Sequence, residues 1–179
     1  MLQDIKEVLF SEEVINNKIK ELATRISEDY KGKNLLVVGV LKGSVIFAAE
    51  LIKNISIPCE IDFMAVSSYG TSSETTGVVR ILKDLDHEIS GKDIIIVEDI
   101  VDSGVTLDYL LKYLMARNAN SVEIVSLLTK PSRRRVDINC KYIGFEAPDE
   151  FIVGYGLDYA EKYRNLPFVG ILKREVYEK

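Results

Sequence analysis

The sequence has little of what several chemistries require. It holds one histidine, His87, and two cysteines, Cys59 and Cys140, in 179 residues. A histidine triad or a histidine-based zinc site cannot be built from one imidazole, and His87 lies in the polar stretch DLDHEISGKD. The cysteines are far apart, with no CxxC or Cys/His spacing, and read as two core thiols in a reducing cytosol. Basic residues are in deficit: the net charge is -5. That argues against a nucleic-acid binder with a basic face and against a polybasic membrane anchor. No apolar run approaches a membrane span. The opening MLQDIKEVLFSEE is acidic early and unlike a secretory signal. The expectation is a cytoplasmic protein without nucleic-acid or membrane partners.

What is present suits one folded domain, residues 1–179. Apolar content is 47% and charged content 28%, ordinary for a globular chain. Ser11 reads as a helix N-cap with Glu12 and Glu13 behind it; Ile15, Ile19, Leu22 and Ile26 recur at helical spacing, and Gly32 offers a stop. NLLVVGV (34–40) reads as a buried strand, LKGS as a loop and VIFAAELIKN as a helix. CEIDFMAVS (59–67) and VVRILKDL (78–85) read as an antiparallel strand pair. SYGTSSETTG (68–77) between them is long for a hairpin turn and reads as a flexible flap. DIIIVE (93–98) is a strand, Leu107, Leu110, Leu111 and Leu114 mark a helix, and SVEIVSLLT (121–129) is a strand. KYIGF, FIVGYG and FVGILK supply shorter strands. Two strand–loop–helix–strand units imply right-handed crossovers, hence an α/β fold with a mainly parallel sheet and helices on both faces.

The densest chemistry is IIIVEDIVDSGVTL, residues 94–107. A buried strand runs into Glu98, Asp99 and Asp102, then Ser103, Gly104, Val105 and Thr106. Its loop emerges at the carboxyl edge of the sheet, where open α/β folds bind ligands. Gly104 lets successive amides converge, Ser103 and Thr106 add hydroxyls, and the following helix adds its dipole. This makes a phosphate cup without lysine or arginine. The acids face another part of the same ligand, so cup and carboxylates suit opposite ends of a sugar phosphate. The plain alternative is an acidic cap on an ordinary helix.

Three further stretches have two readings each. Lys42-Gly43 in VGVLKGS offers a cation and an amide to an anion, or is a simple turn; it matches neither a dinucleotide nor a Walker loop. Lys130 ends a buried strand and emerges at the same sheet edge, while Arg133 to Arg135 read as a solvated basic turn. Phe151 and Tyr155 suit a core. Asp158 suits a cap or an oxygen ligand for Mg2+, and Arg164 a surface charge or a phosphate clamp.

Residues 94–106 resemble the thirteen-residue diphosphate-sugar motif of the type I phosphoribosyltransferases: an apolar run, two acids, two apolar residues, Asp, Ser/Thr, Gly, any residue, Thr. VVGVLKGS, SSYGTSSETTG, LLTKPS and GYGLDYAEKYRNLP extend the resemblance to the hypoxanthine-guanine subfamily over most of the chain. The resemblance implies a type I phosphoribosyltransferase fold with a small hood from the terminal segments. It implies purine salvage, with the 5-phosphoribosyl group moving from 5-phosphoribosyl 1-diphosphate (PRPP) to N9 of hypoxanthine or guanine. Asp102 is then the acid/base at purine N7. Glu98, Asp99, Asp102, Ser103, Gly104, Val105 and Thr106 hold ribose and 5′-phosphate, and Lys42, Gly43 and Arg164 hold diphosphate. Ser68 and Tyr69 belong to the flexible loop. Lys130, Phe151, Ile152 and Asp158 address the purine, and Glu98, Asp99 and Asp158 hold Mg2+. The family often has a cis peptide at the position of Lys42-Gly43, and a homodimer or homotetramer with this loop near the subunit contact. Rival readings are a xanthine- or pyrimidine-directed transferase, a PRPP-sensing regulator, which should carry a basic face, and a phospho-receiver domain, which needs an acidic pair where Leu41-Lys42-Gly43 stands.

Overall fold

In chain order the elements are β1 (Ile5–Phe10), α1 (Glu12–Asp29), β2 (Leu35–Leu41), α2 (Val45–Asn54), β3 (Glu60–Tyr69), β4 (Val78–Lys83), β5 (Asp93–Val101), α3 (Val105–Ala116), β6 (Ser121–Thr129), β7 (Tyr142–Glu146), β8 (Ile152–Val153), β9 (Val169–Leu172) and α4 (Arg174–Tyr177). They come from a computed structural model that describes residues 1–69 and 78–178. Six strands form one sheet in the order β4-β3-β2-β5-β6-β7. All neighbours run parallel except β4, which lies antiparallel on β3.

Ser11 caps α1, its Oγ accepting from the Val14 N–H at 3.4 Å. Ile15, Ile19, Leu22 and Ile26 of α1 are buried with Phe47 and Leu51 of α2 against Val37, Ile95, Val97, Val125 and Leu127. The opposite sheet face carries Leu36, Val38, Ile94, Ile96 and Ile124, covered by Leu107, Leu110 and Leu114 of α3. Strand alternation divides the two sets. The unbroken apolar runs of β2 and β5 follow from burial on both faces. A fully buried leucine or isoleucine contributes about 1.5–3 kcal/mol, so these layers fix the register of everything at the sheet edge.

A second sheet, β1-β9-β8, joins the two ends of the chain, with Ile5 opposite Leu172 and Phe10 opposite Val169. Residues 5–10 carry no clear strand pattern in the sequence, and FIVGYG is extended only at Ile152–Val153. Gly154 (φ +96), Tyr155 (+50) and Gly156 (+101) turn the chain away instead. Strand order sets the ligand edge: the chain leaves β2 toward β3, then returns to place β5 on the other side of β2. Loops after β2 and β5 diverge at such a switch point and leave a crevice outside the carboxyl ends. They are the Lys42-Gly43 loop and the Asp102–Thr106 turn.

Candidate active site

The turn after β5 forms the floor of the crevice. Glu98, Ile100 and Asp102 share one parity and line a cavity of about 100 Å³ with Ser103, Gly104, Thr106 and Leu107. Whole-ligand pockets span about 300–1,000 Å³, so this one suits a single group. Gly104 precedes α3 with φ +82. A Cβ there would stand 2.9 Å from Ile138 Cγ2 and 3.1 Å from Val136 Cγ2. The turn is braced from behind, since the Arg135 and Val136 amides donate to the Ser103 carbonyl at 2.9 and 3.4 Å. The cavity lies at the start of α3, with Ser103, Gly104 and Thr106 in its lining and the helix dipole behind them; the Val105 N–H meets Ser103 Oγ at 3.4 Å.

Asp99 has the opposite parity to Glu98 and stands beneath the Lys42-Gly43 loop. A Cβ at Gly43 would lie 1.8 Å from Asp99 Oδ2, and one at Gly156 would lie 1.9 Å from the Gly43 carbonyl oxygen. The backbones at Gly43 and Gly156 and the Asp99 carboxylate therefore meet where no further side chain fits. The cis peptide of this loop is Leu41–Lys42, which corrects the expectation of Lys42-Gly43 by one residue.

Both acids hold protons more tightly than usual. Burial pushes Asp99 up to about 6; the Ile100 N–H and the Arg164 charge oppose the rise, and Asp158 adds to it. Glu98 stands well above the ordinary value, through burial and then the charge of Asp99. Among the described residues, no cation offsets Glu98. Such a pair suits an added divalent cation. Among the described residues, however, no three acidic, histidine or cysteine groups converge as a metal site. Glu98, Asp99 and Asp158 are thus not a preformed three-ligand cage. The set fits a metal held by one or two carboxylates, with substrate oxygens and water completing the shell.

Arg164 reaches into the same corner. Its Nη1 donates to the Gly156 carbonyl at 2.8 Å, and its Nη2 meets Asp158 Oδ1 at 2.8 Å and Glu161 Oε1 at 3.3 Å. Lys42 Nζ meets Glu161 Oε2 at 2.9 Å. Asp158 Oδ2 accepts from the Glu161 N–H at 2.9 Å, so both of its oxygens have protein partners.

On the other side of Asp102 the lining changes to rings and one buried ammonium. Lys130 is only 5% exposed and donates to the Glu150 carbonyl at 2.7 Å. Burial, then the Arg133 charge, lowers its proton affinity. Phe151 is exposed, stacked on Tyr177 at 4.8 Å and edge-on to Tyr159 at 5.5 Å. Ile152 is buried and pairs with Ile171 in β9. Asp102 faces Arg133 Nη1 at 3.7 Å, and its Oδ1 is buried without a partner. Ser68 and Tyr69 end β3 opposite Val79 and Val78; the rest of the expected flap lies outside the described residues.

This arrangement has known counterparts. Residues 9–160 match the family described as phosphoribosyl transferase domain. The chain belongs to the phosphoribosyltransferase family. Among relatives, it is 54% identical to a hypoxanthine-guanine phosphoribosyltransferase of Bacillus subtilis, covering 99% of both chains. It is 56% identical to one of Streptococcus agalactiae, covering 98% of both. A crystal structure of a hypoxanthine phosphoribosyltransferase from Staphylococcus aureus superposes with a TM-score of 0.98 at 54% identity, over 100% of this chain and 97% of that one. A hypoxanthine-guanine phosphoribosyltransferase structure from Bacillus anthracis, with HEPES in its active site, gives 0.91 at 51% identity, over 94% and 99%. The fold is that of type I phosphoribosyltransferases, and the chain is a transferase. Among the described residues, no helix is long and apolar enough to cross a membrane.

In this phosphoribosyltransferase, volume alone would mislead. A groove of about 510 Å³ between α1, α2 and Asn165–Pro167 is lined by Tyr155 but by none of the residues expected to hold substrate or metal. The residues that sequence reasoning missed are ones whose partners are distant in the chain. Arg133, read as solvated, pairs with both Asp102 and Asp149. Tyr177, 26 positions after Phe151, stacks on it. Only Glu161 had a local signal: it lies three residues from both Asp158 and Arg164.

Proposed function

We propose that this chain transfers the 5-phosphoribosyl group of PRPP to N9 of hypoxanthine or guanine, giving IMP or GMP and diphosphate in purine salvage. The observation that carries the reading is one crevice with three chemically distinct walls. The Asp102–Thr106 turn offers amides and hydroxyls to a 5′-phosphate. The Lys42, Gly43 and Arg164 corner offers cations to a diphosphate. Lys130 and Phe151 offer a donor and a ring face to a purine. The full-length relatives named above support the same reading.

In the reaction the C1′–O bond to diphosphate breaks and the C1′–N9 bond forms, while the N7 proton passes to Asp102. Glu98 lies on the cavity side, where its oxygens accept from ribose hydroxyls and, with a bound cation keeping it ionised, its charge favours a sugar with oxocarbenium character. Val105 contributes through its amide, beside Ser103, Gly104 and Thr106. Asp99, under Gly43, and Glu98 are the carboxylates that would hold Mg2+, with Asp158 close behind. When bound, the metal neutralises charge on the leaving diphosphate. Lys130 donates to O6, Phe151 stacks on the ring, and the backbone of Ile152 faces the purine's second carbon. Ser68 and Tyr69, at the end of β3, help keep water from PRPP. The assembly is a homodimer or homotetramer with the Lys42 loop near the subunit contact.

The test gives purified protein PRPP, Mg2+ and, separately, hypoxanthine, guanine, xanthine and uracil, and follows nucleotide formation. IMP and GMP are expected. Product with uracil or xanthine alone moves the specificity. Tight PRPP binding without any product favours a sensor and overturns the reading.

A further inference from the structure

Glu161 has no role in the reaction described above, yet one carboxylate spans both cations assigned to diphosphate. Its Oε2 stands 2.9 Å from Lys42 Nζ and its Oε1 3.3 Å from Arg164 Nη2. An anion that bridges those cations has to occupy the same two positions. The backbone is bent to put it there. Ala160 and Glu161 are the central residues of a two-residue turn closed by Tyr159 and Lys162, whose amides and carbonyls exchange bonds at 3.1 and 3.0 Å. Their φ angles are +50 and +62, a geometry that favours glycine and asparagine. The Glu161 N–H donates to Asp158 Oδ2, which fixes the side chain's point of departure.

The contact is also easy to break. Lys42 and Glu161 are 67% and 64% exposed in their side chains, and such surface pairs are weak. Arg164 keeps Asp158 and the Gly156 carbonyl without Glu161, so its position survives the loss.

We propose that Glu161 is a displaceable counter-ion: it occupies Lys42 and Arg164 in the empty enzyme and leaves when the diphosphate group of PRPP arrives. Resting on the diphosphate reading above, it implies that Glu161 weakens PRPP binding and returns as diphosphate departs. A merely structural Glu161, which positions the two cations, has the opposite effect, because its loss weakens binding.

Glu161→Gln decides by sign. The KM for PRPP and the inhibition constant of diphosphate should fall together, by roughly two- to five-fold, with the KM for hypoxanthine unchanged. Unchanged or raised values overturn the proposal. A crystal grown with Mg2+ and diphosphate separates contact from general charge. The Glu161 carboxylate should have left both cations by more than a salt-bridge distance, about 4 Å; a carboxylate still seated there also overturns it. Calorimetry of the wild-type enzyme with Mg2+ and diphosphate keeps the premise separate. No binding sinks the diphosphate assignment itself. Binding with an unimproved Glu161→Gln sinks only the counter-ion.

Discussion

Individual residues in the crevice separate by what they do. Asp102→Asn keeps the shape and removes the proposed base, so turnover should fall roughly 10- to 10⁴-fold with PRPP affinity preserved; single-turnover kinetics with PRPP titration checks both halves. Lys130→Met should raise the purine KM by about 10- to 100-fold, the value of a charged hydrogen bond, and leave the KM for PRPP alone. Asp99 makes a pH prediction. Its folded value of about 6 lies above the ordinary 3.8. Its contribution to stability is therefore complete below about pH 4 and is lost as pH rises through about 6, where folding must bury a charge. Asp99→Asn should stabilise the metal-free protein at pH 8 by about 1–3 kcal/mol, with the gain vanishing near pH 4. Urea unfolding at the two pH values measures it, and a variant equally or less stable at pH 8 contradicts the assigned burial.

Elements explain how much the sequence disclosed. The α3 face is a local pattern, and Leu110 is fully buried in it. Leu110→Ala should cost about 2–5 kcal/mol, read from the urea midpoint, with the Asp102–Thr106 turn loosened along with its helix. The β5 strand, the turn after it and Lys130 at the end of β6 were legible for the same reason: apolar runs and turn residues within a dozen positions dictate them. Other features depend on distant pairings. Asp99 touches Gly43 only because β5 lies beside β2. The sheet of β1, β9 and β8 joins opposite ends of the chain, and no periodicity in residues 5–10 announces it. Alternation explains the split of Glu98 from Asp99. Their adjacency in the sequence does not reveal that Glu98 lines the cavity while Asp99 stands under Gly43; strand alternation separates them.

At the scale of the molecule, a net charge of -5 is compatible with the proposed site for a highly anionic substrate, because the groups assigned to it are concentrated at one sheet edge. In that proposal backbone amides, Lys42, Arg164 and a metal act within a few ångströms, whereas distant surface acids are screened. Light scattering at assay concentrations should give a dimer or tetramer, and an active monomer would remove the subunit contact from the account. The proposed reaction divides its labour along one sheet edge: phosphate on the turn before α3, base against Phe151 and Lys130. A crystal structure with IMP tests it most directly. The 5′-phosphate should accept from the amides of Ser103 to Thr106, with the hypoxanthine ring on Phe151 and O6 beside Lys130. A nucleotide bound elsewhere, or bound with its phosphate away from that turn, would contradict it.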